Sequence, residues 1–141
     1  MRPVTWDFLA GLRPRAVLGG WAADWSLSFL FFALMTAVVA GGGGTPEEIT
    51  ARMTESLDLQ IASLVAGLAF TGVGGYVAAA LARERHVPHG VAVGVVSLTV
   101  GVLLSLLGGA FGVAQLVGYA LTVPVAAFGG WYRKTTERPA P

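Results

Sequence analysis

From Gly90 to Tyr132 the chain runs for 43 residues without a single charged side chain. A helix needs about 20 apolar residues to cross a bilayer, so the run is long enough for two crossings joined by a turn. Gly108-Gly109, in its middle, is a turn signal. The run therefore divides into spans at Gly90–Leu107 and Phe111–Trp131. Two further apolar segments, Ala16–Ala40 and Leu59–Ala82, meet the same length requirement. Only 12% of the 141 residues are charged, about half the usual share of a soluble domain, so the chain lacks the charge to cover a soluble surface. The expected fold is an all-α membrane protein, with four transmembrane helices in a compact bundle of two antiparallel hairpins, forming one domain over residues 1–141.

Loop charges orient it. Arg2, Arg13 and Arg15 precede the first span, Arg83 and Arg85 lie between the second and third, and Arg133, Lys134 and Arg138 follow the fourth. Eight of the nine basic residues thus fall on one side when there are four spans, which places both termini in the cytoplasm. The opposite loop carries Glu47, Glu48, Glu55 and Asp58 against a lone Arg52. Within it, Thr45-Pro46-Glu47-Glu48 reads as a helix start, with an N-cap, a proline in the first turn and a capping glutamate. Ile49, Met53 and Leu57 follow at helical spacing, predicting an amphipathic outer helix over 46–57. Trp6, Phe8, Leu9 and Leu12 predict a short inner-surface segment. The stretch from Leu27 to Ala40 loosely fits a cleavable leader, but Trp21, Asp24 and Trp25 ahead of it count against cleavage.

Glycine is twice its ~7% background, at 20 residues. Small residues fall in stripes: Gly67, Thr71, Gly75 and Ala79 in the second span; Gly90, Gly94, Ser97, Gly101, Ser105 and Gly108 in the third; Gly112, Gln115, Gly118, Thr122, Ala126 and Gly129 in the fourth. Such stripes let helix backbones approach closely, either within one bundle or against a partner. A Gly-Gly-aromatic triplet recurs every 55 residues, ending at Trp21, Tyr76 and Trp131. With Trp25, these aromatics are expected to anchor at the headgroups.

Asp24 is the one acid that falls within a span. Flanked by Trp21 and Trp25, it reads as interfacial, one turn deep; a deeper position would mark a proton- or cation-linked site, since a charge at the bilayer centre costs about 2.5–3.5 kcal/mol. Gly20, Asp24 and Ser28 share a face, which aims Asp24 at the bundle. Gln115 is expected to hydrogen-bond a neighbouring helix. His86 and His89 flank Pro88 without an evident third ligand, so no metal site is expected. Absence of cysteine excludes disulfides and thiolate metal sites. No phosphate loop, nucleophile–base pair or paired intramembrane carboxylate occurs, and Pro124 has no counterpart in the second span that would mark a transporter repeat.

These features predict no enzymatic activity, no cofactor and no nucleic-acid partner. The lipid bilayer is one partner; a second membrane protein or another copy of the chain is the other. The glycine faces favour an accessory, packing or regulatory subunit of a membrane complex. The alternative is a small oligomeric channel or carrier that uses Asp24 and Gln115.

Val73-Gly74-Gly75-Tyr76-Val77-Ala78-Ala79, followed by Arg83, His89-Gly90 and Gly94, resembles the YrzE-like group of small four-span bacterial membrane proteins of uncharacterised function. The likeness covers residues 73–109, and the acidic loop at 41–58 is a departure. The resemblance implies a four-span fold in the bacterial cytoplasmic membrane and carries no activity with it.

Overall fold

The computed structural model describes residues 11–108 and 112–137. They form five helices: α1 Pro14–Gly41, α2 Pro46–Glu55, α3 Leu57–Ala82, α4 His86–Gly108 and α5 Val113–Thr136. Four of these, α1, α3, α4 and α5, are long and apolar enough to cross a membrane. The expected inner-surface segment lies almost wholly outside the described residues, as does most of the turn after Gly108.

Each boundary has a local cause. Pro14 sits in the first turn of α1, where its missing N–H costs nothing. Thr45 caps α2 by accepting from the Glu48 N–H, while Glu48 returns a bond to the Thr45 N–H. This outer helix is shorter than the sequence pattern suggests, because Ser56 adopts an extended conformation, ends α2 and caps α3 through Leu59 N–H. Leu57 consequently belongs to α3. Met53 of α2 reaches the Thr36 hydroxyl of α1, and Arg52 donates to the Gly43 carbonyl, so the outer helix is tied to the end of α1.

The turn between α3 and α4 is only three residues long and carries two left-handed arginines, Arg83 at φ 61° and Arg85 at φ 49°. Glycine adopts this conformation without the Cβ clash that costs other residues about 1 kcal/mol. Arg83 caps α3 and is exposed. Arg83→Gly should therefore raise stability by about 0.5–1 kcal/mol, seen as a higher midpoint of thermal unfolding in detergent. A lower midpoint would show that the arginine side chain contributes more than its backbone costs.

The tightest packing is at the inner end, where the start of α1, the α3–α4 turn and the end of α5 lie. Here α3, α4 and α5 meet almost backbone to backbone. An added Cβ on Gly75 would lie 2.9 Å from the Ala126 carbonyl carbon, and one on Gly94 2.8 Å from Val123 Cα. Gly130 approaches the first turn of α4 (Val87 Cα 3.2 Å) in the same way. The first helix joins through Gly20 and Gly74: each would place a Cβ against the other's carbonyl, the one on Gly74 at 2.8 Å. Two of the three Gly-Gly-aromatic triplets thus meet face to face at the α1–α3 crossing. Ala78, Ala79, Ala82, Val93 and Ala126 complete this core, all fully buried.

The outer end is different. The buried residues of α1 are Ala16, Gly20 and Asp24, all in its inner half. Beyond Ser28, Phe29, Leu30, Phe32, Leu34 and Val38 are largely exposed, as suits side chains facing lipid tails. Phe31 keeps the helix on α3 through an edge-on contact with Phe70, ring centroids 5.8 Å apart. Among the described residues α1 and α5 are the one pair of spans without close backbone approach, each packing on α3 and α4, and an outer cleft opens among the four.

Candidate functional site: a polar ladder above Asp24

Asp24 lies ten residues into α1, about 15 Å along the axis at 1.5 Å per residue, and only 4% of it is exposed. Ser97, the central residue of α4, donates to one carboxyl oxygen at 2.6 Å. Thr71, near the middle of α3, shares its hydroxyl between both oxygens at 3.3 and 3.4 Å. Ser28 stands beside it, one turn further along α1. The carboxyl group is thus level with the middle of the bundle and is held by hydroxyls from α3 and α4.

This corrects the interfacial reading. Within the bundle Asp24 sits deeper than one turn, ten residues into a helix that starts at Pro14, ahead of both tryptophans. The two indoles pack on each other, centroids 5.6 Å apart, and Trp21 Nε1 is buried with no hydrogen-bond partner. Gly74 makes room for the arrangement: a Cβ there would lie 2.9 Å from Asp24 Cβ.

A second polar cluster lies two turns further out. The Gln115 amide donates to Ser105 Oγ at 2.5 Å and to Tyr119 Oη at 3.1 Å, Ser105 and Tyr119 bond to each other, and Tyr119 donates to the Gly101 carbonyl at 2.8 Å. Since the tyrosine proton goes to Gly101, the proton between Ser105 and Tyr119 comes from the serine. The cluster is therefore a directed chain from amide to serine to tyrosine to backbone. Gly101 has no side chain, and the Tyr119 ring fills the space, 3.1 Å from where a Cβ would be.

Ser97, Gly101 and Ser105 are successive four-residue steps on α4, so one face of that helix joins the two clusters. Above them opens the outer cleft of about 620 Å³, lined by residues of all four spans, among them Ser28, Phe31, Ser63, Phe70, Gln115 and Tyr119. Below Asp24 the glycine contacts and Val93 close the bundle.

The residues singled out for helix packing divide accordingly. Gly75, Gly90 and Gly94 stand at backbone approaches, Ala79 is fully buried, and Gly118 meets the Leu64 side chain, 3.2 Å from an added Cβ. Thr71, Ser97 and Ser105 instead spend their hydroxyls on the polar clusters. Gly67, Gly108 and Gly112 pack against nothing: no atom lies within 4 Å of an added Cβ at any of them. Gly67 and Gly108 line the cleft, where the helices have splayed apart, and Gly112 is the N-cap of α5.

Of the aromatic residues, Tyr76 pairs with Tyr132 (6.2 Å) beneath the Arg133 guanidinium, and Trp131 packs on Phe128 (5.4 Å), forming an aromatic cluster near the inner end. The histidines part company. His89 is 1% exposed; its Nε2 accepts from the Arg13 N–H at 3.0 Å, and its Nδ1 lies 3.0 Å from the Arg85 carbonyl. Accepting at Nε2 assigns the proton to Nδ1, so a neutral His89 clips the start of α1 to the α3–α4 turn. His86 faces Glu137, 3.0 Å away but out of line for a hydrogen bond. Among the described residues no group of three His, Asp or Glu side chains is placed to hold a metal. Sequence spacing missed the clip and the role of Tyr119, although Gln115 and Tyr119 stand at i and i+4 on α5.

Comparison with known proteins finds no family model, no curated protein and no solved structure that matches this chain. Fold and site therefore rest on the chain's own residues, which make it a multi-pass helical membrane protein with a carboxyl group buried at mid-bundle.

Proposed function

We propose that this protein is a small proton- or cation-linked carrier of the bacterial cytoplasmic membrane, with Asp24 as its working group and no enzymatic chemistry. The observation that carries the reading is Asp24 itself, buried level with the middle of α3 and α4 and held by hydroxyls, with no basic side chain among its partners. Ionisable groups at such depth are costly, and proteins that retain them use them for ion pathways or proton relays. The ladder from Gln115 to Ser97 supports a path from the outer cleft, and the closed inner half supports a carrier rather than an open pore.

Reconstitution in liposomes under an imposed pH or sodium gradient tests this. The wild-type chain should dissipate one of the gradients, and Asp24→Asn should reduce the rate at least tenfold. Equal rates for the two would remove the reading.

A second reading, an accessory or regulatory subunit of a membrane complex, is favoured by the outer half of α1, which buries nothing beyond Asp24. Mild-detergent purification followed by mass spectrometry distinguishes it. A reproducible lone monomer without a co-purifying membrane protein counts against it.

A further inference from the structure

We propose that the outer cleft is a binding site for a lipophilic organic cation, a protonated or quaternary amine on an aromatic or alkyl body, which enters from the outer leaflet. The inference deepens the carrier reading and rests on it for the role of Asp24.

Size and lining come first. A volume of about 620 Å³ falls within the range of about 300–1,000 Å³ typical of small-molecule sites, which combine apolar walls with a few polar groups. The walls here are Phe31, Phe32, Phe70 and the Tyr119 ring, whose faces attract cations.

The polar groups then select the charge. Every Gln115, Ser105 and Tyr119 donor whose direction the network fixes is directed at another protein atom. The Gln115 side-chain carbonyl has no partner among the described residues and stays available as an acceptor in the cleft. Ser28 joins the cleft wall to the Asp24 carboxyl group directly beneath. Among the described residues no lysine or arginine lines the cleft, and the loop after α1 carries four acids against Arg52. An anion would find no basic group; a cation finds aromatic faces and a carbonyl, with the Asp24 carboxyl group beneath the cleft floor. The access route runs along the outer half of α1, which packs less on α4 than on α3 and buries nothing beyond Asp24, flanked by the lipid-facing Phe29, Leu30 and Leu34.

The test uses two ions of one shape and opposite charge, tetraphenylphosphonium and tetraphenylborate, titrated by calorimetry into the full chain in nanodiscs, with empty nanodiscs subtracted. Saturable binding of the phosphonium is expected, at least tenfold tighter than that of the borate. Asp24→Asn should weaken it at least tenfold. Gly67→Phe, which fills open space and leaves Asp24 intact, should abolish it while thermal unfolding remains cooperative. Absence of saturable binding, equal affinity for the two ions, or full binding by a folded Gly67→Phe variant overturns the site. If Asp24-dependent flux of protons or sodium persists without phosphonium binding, the cleft inference fails and the carrier reading stands. Cleft-dependent binding without any flux leaves the site and removes the carrier.

Discussion

Gly129→Ala should cost the bundle about 3 kcal/mol or more, and in mild detergent it should lower the thermal midpoint sharply or abolish the cooperative transition. A Cβ at this position would meet the Gly72 carbonyl, with its carbon and Tyr76 N both at 3.0 Å. These are backbone atoms in the middle of α3, so no side chain can rotate away and the two helices must separate. Overpacking of a well-fitted core costs about 1–3 kcal/mol, occasionally more, and the upper end applies because separating α5 from α3 also opens the approach at Gly75. Gly75→Ala, facing the Ala126 carbonyl, should behave alike. Gly67→Ala is the control. It lies on the stripe that contains Gly75, in the same helix, but has nothing within 4 Å of an added Cβ. There alanine should be neutral or stabilising by up to about 1 kcal/mol, the helical advantage of alanine over glycine. Equal effects at Gly67 and Gly129 would show that glycine acts through the helix backbone rather than through close approach.

That contrast also marks what the sequence can reveal. The 43-residue uncharged run and the distribution of basic residues are enough to specify four spans, because bilayer thickness and charge segregation act on composition alone. The capping box at Thr45 is equally legible, since its partners lie three residues apart. The glycine stripes show which faces carry small residues, but not where along the axis two helices touch. That depends on how the assembled helices cross, and nothing in the spacing encodes it. Gly67 and Gly75 look alike in the sequence for this reason.

Asp24 was misplaced by a related failure. Tryptophan prefers the interface only on average, and here two of them stand beside a carboxyl group that lies level with the middle of α3 and α4. Its partners, Thr71 and Ser97, appeared as small residues in packing stripes. Their hydroxyl chemistry becomes visible only once three helices are assembled. His89 is a similar case: its partner is a backbone N–H 76 residues away, which no motif records.

The three hydroxyls around Asp24 should not contribute equally, and the inequality tests whether they hold the carboxyl group or merely fill space. Ser97 donates at 2.6 Å to a single oxygen, whereas Thr71 divides its proton between two at 3.3 and 3.4 Å. Side-chain hydrogen bonds between membrane helices average about 0.6 kcal/mol and reach about 1.7, because the separated helices also find partners. Ser97→Ala should therefore cost near the upper figure and Thr71→Val near the average, both measured by reversible unfolding in detergent. In an Asp24→Asn background the Ser97→Ala penalty should shrink by about 1 kcal/mol, since hydrogen bonds to neutral groups are weaker than those to charged ones. Asp24→Asn alone keeps an oxygen for Ser97 and nearly the same volume beside Gly74, so it should remain folded, with a loss below about 1.7 kcal/mol. A folded Asn variant that has lost at least tenfold of its flux would separate the two roles of Asp24, its contribution to packing being small and its contribution to transport large. Strict additivity of Asp24→Asn and Ser97→Ala would instead mean that Ser97 holds a carboxyl group no better than an amide. The polar ladder would then be packing, and the accessory-subunit reading would gain.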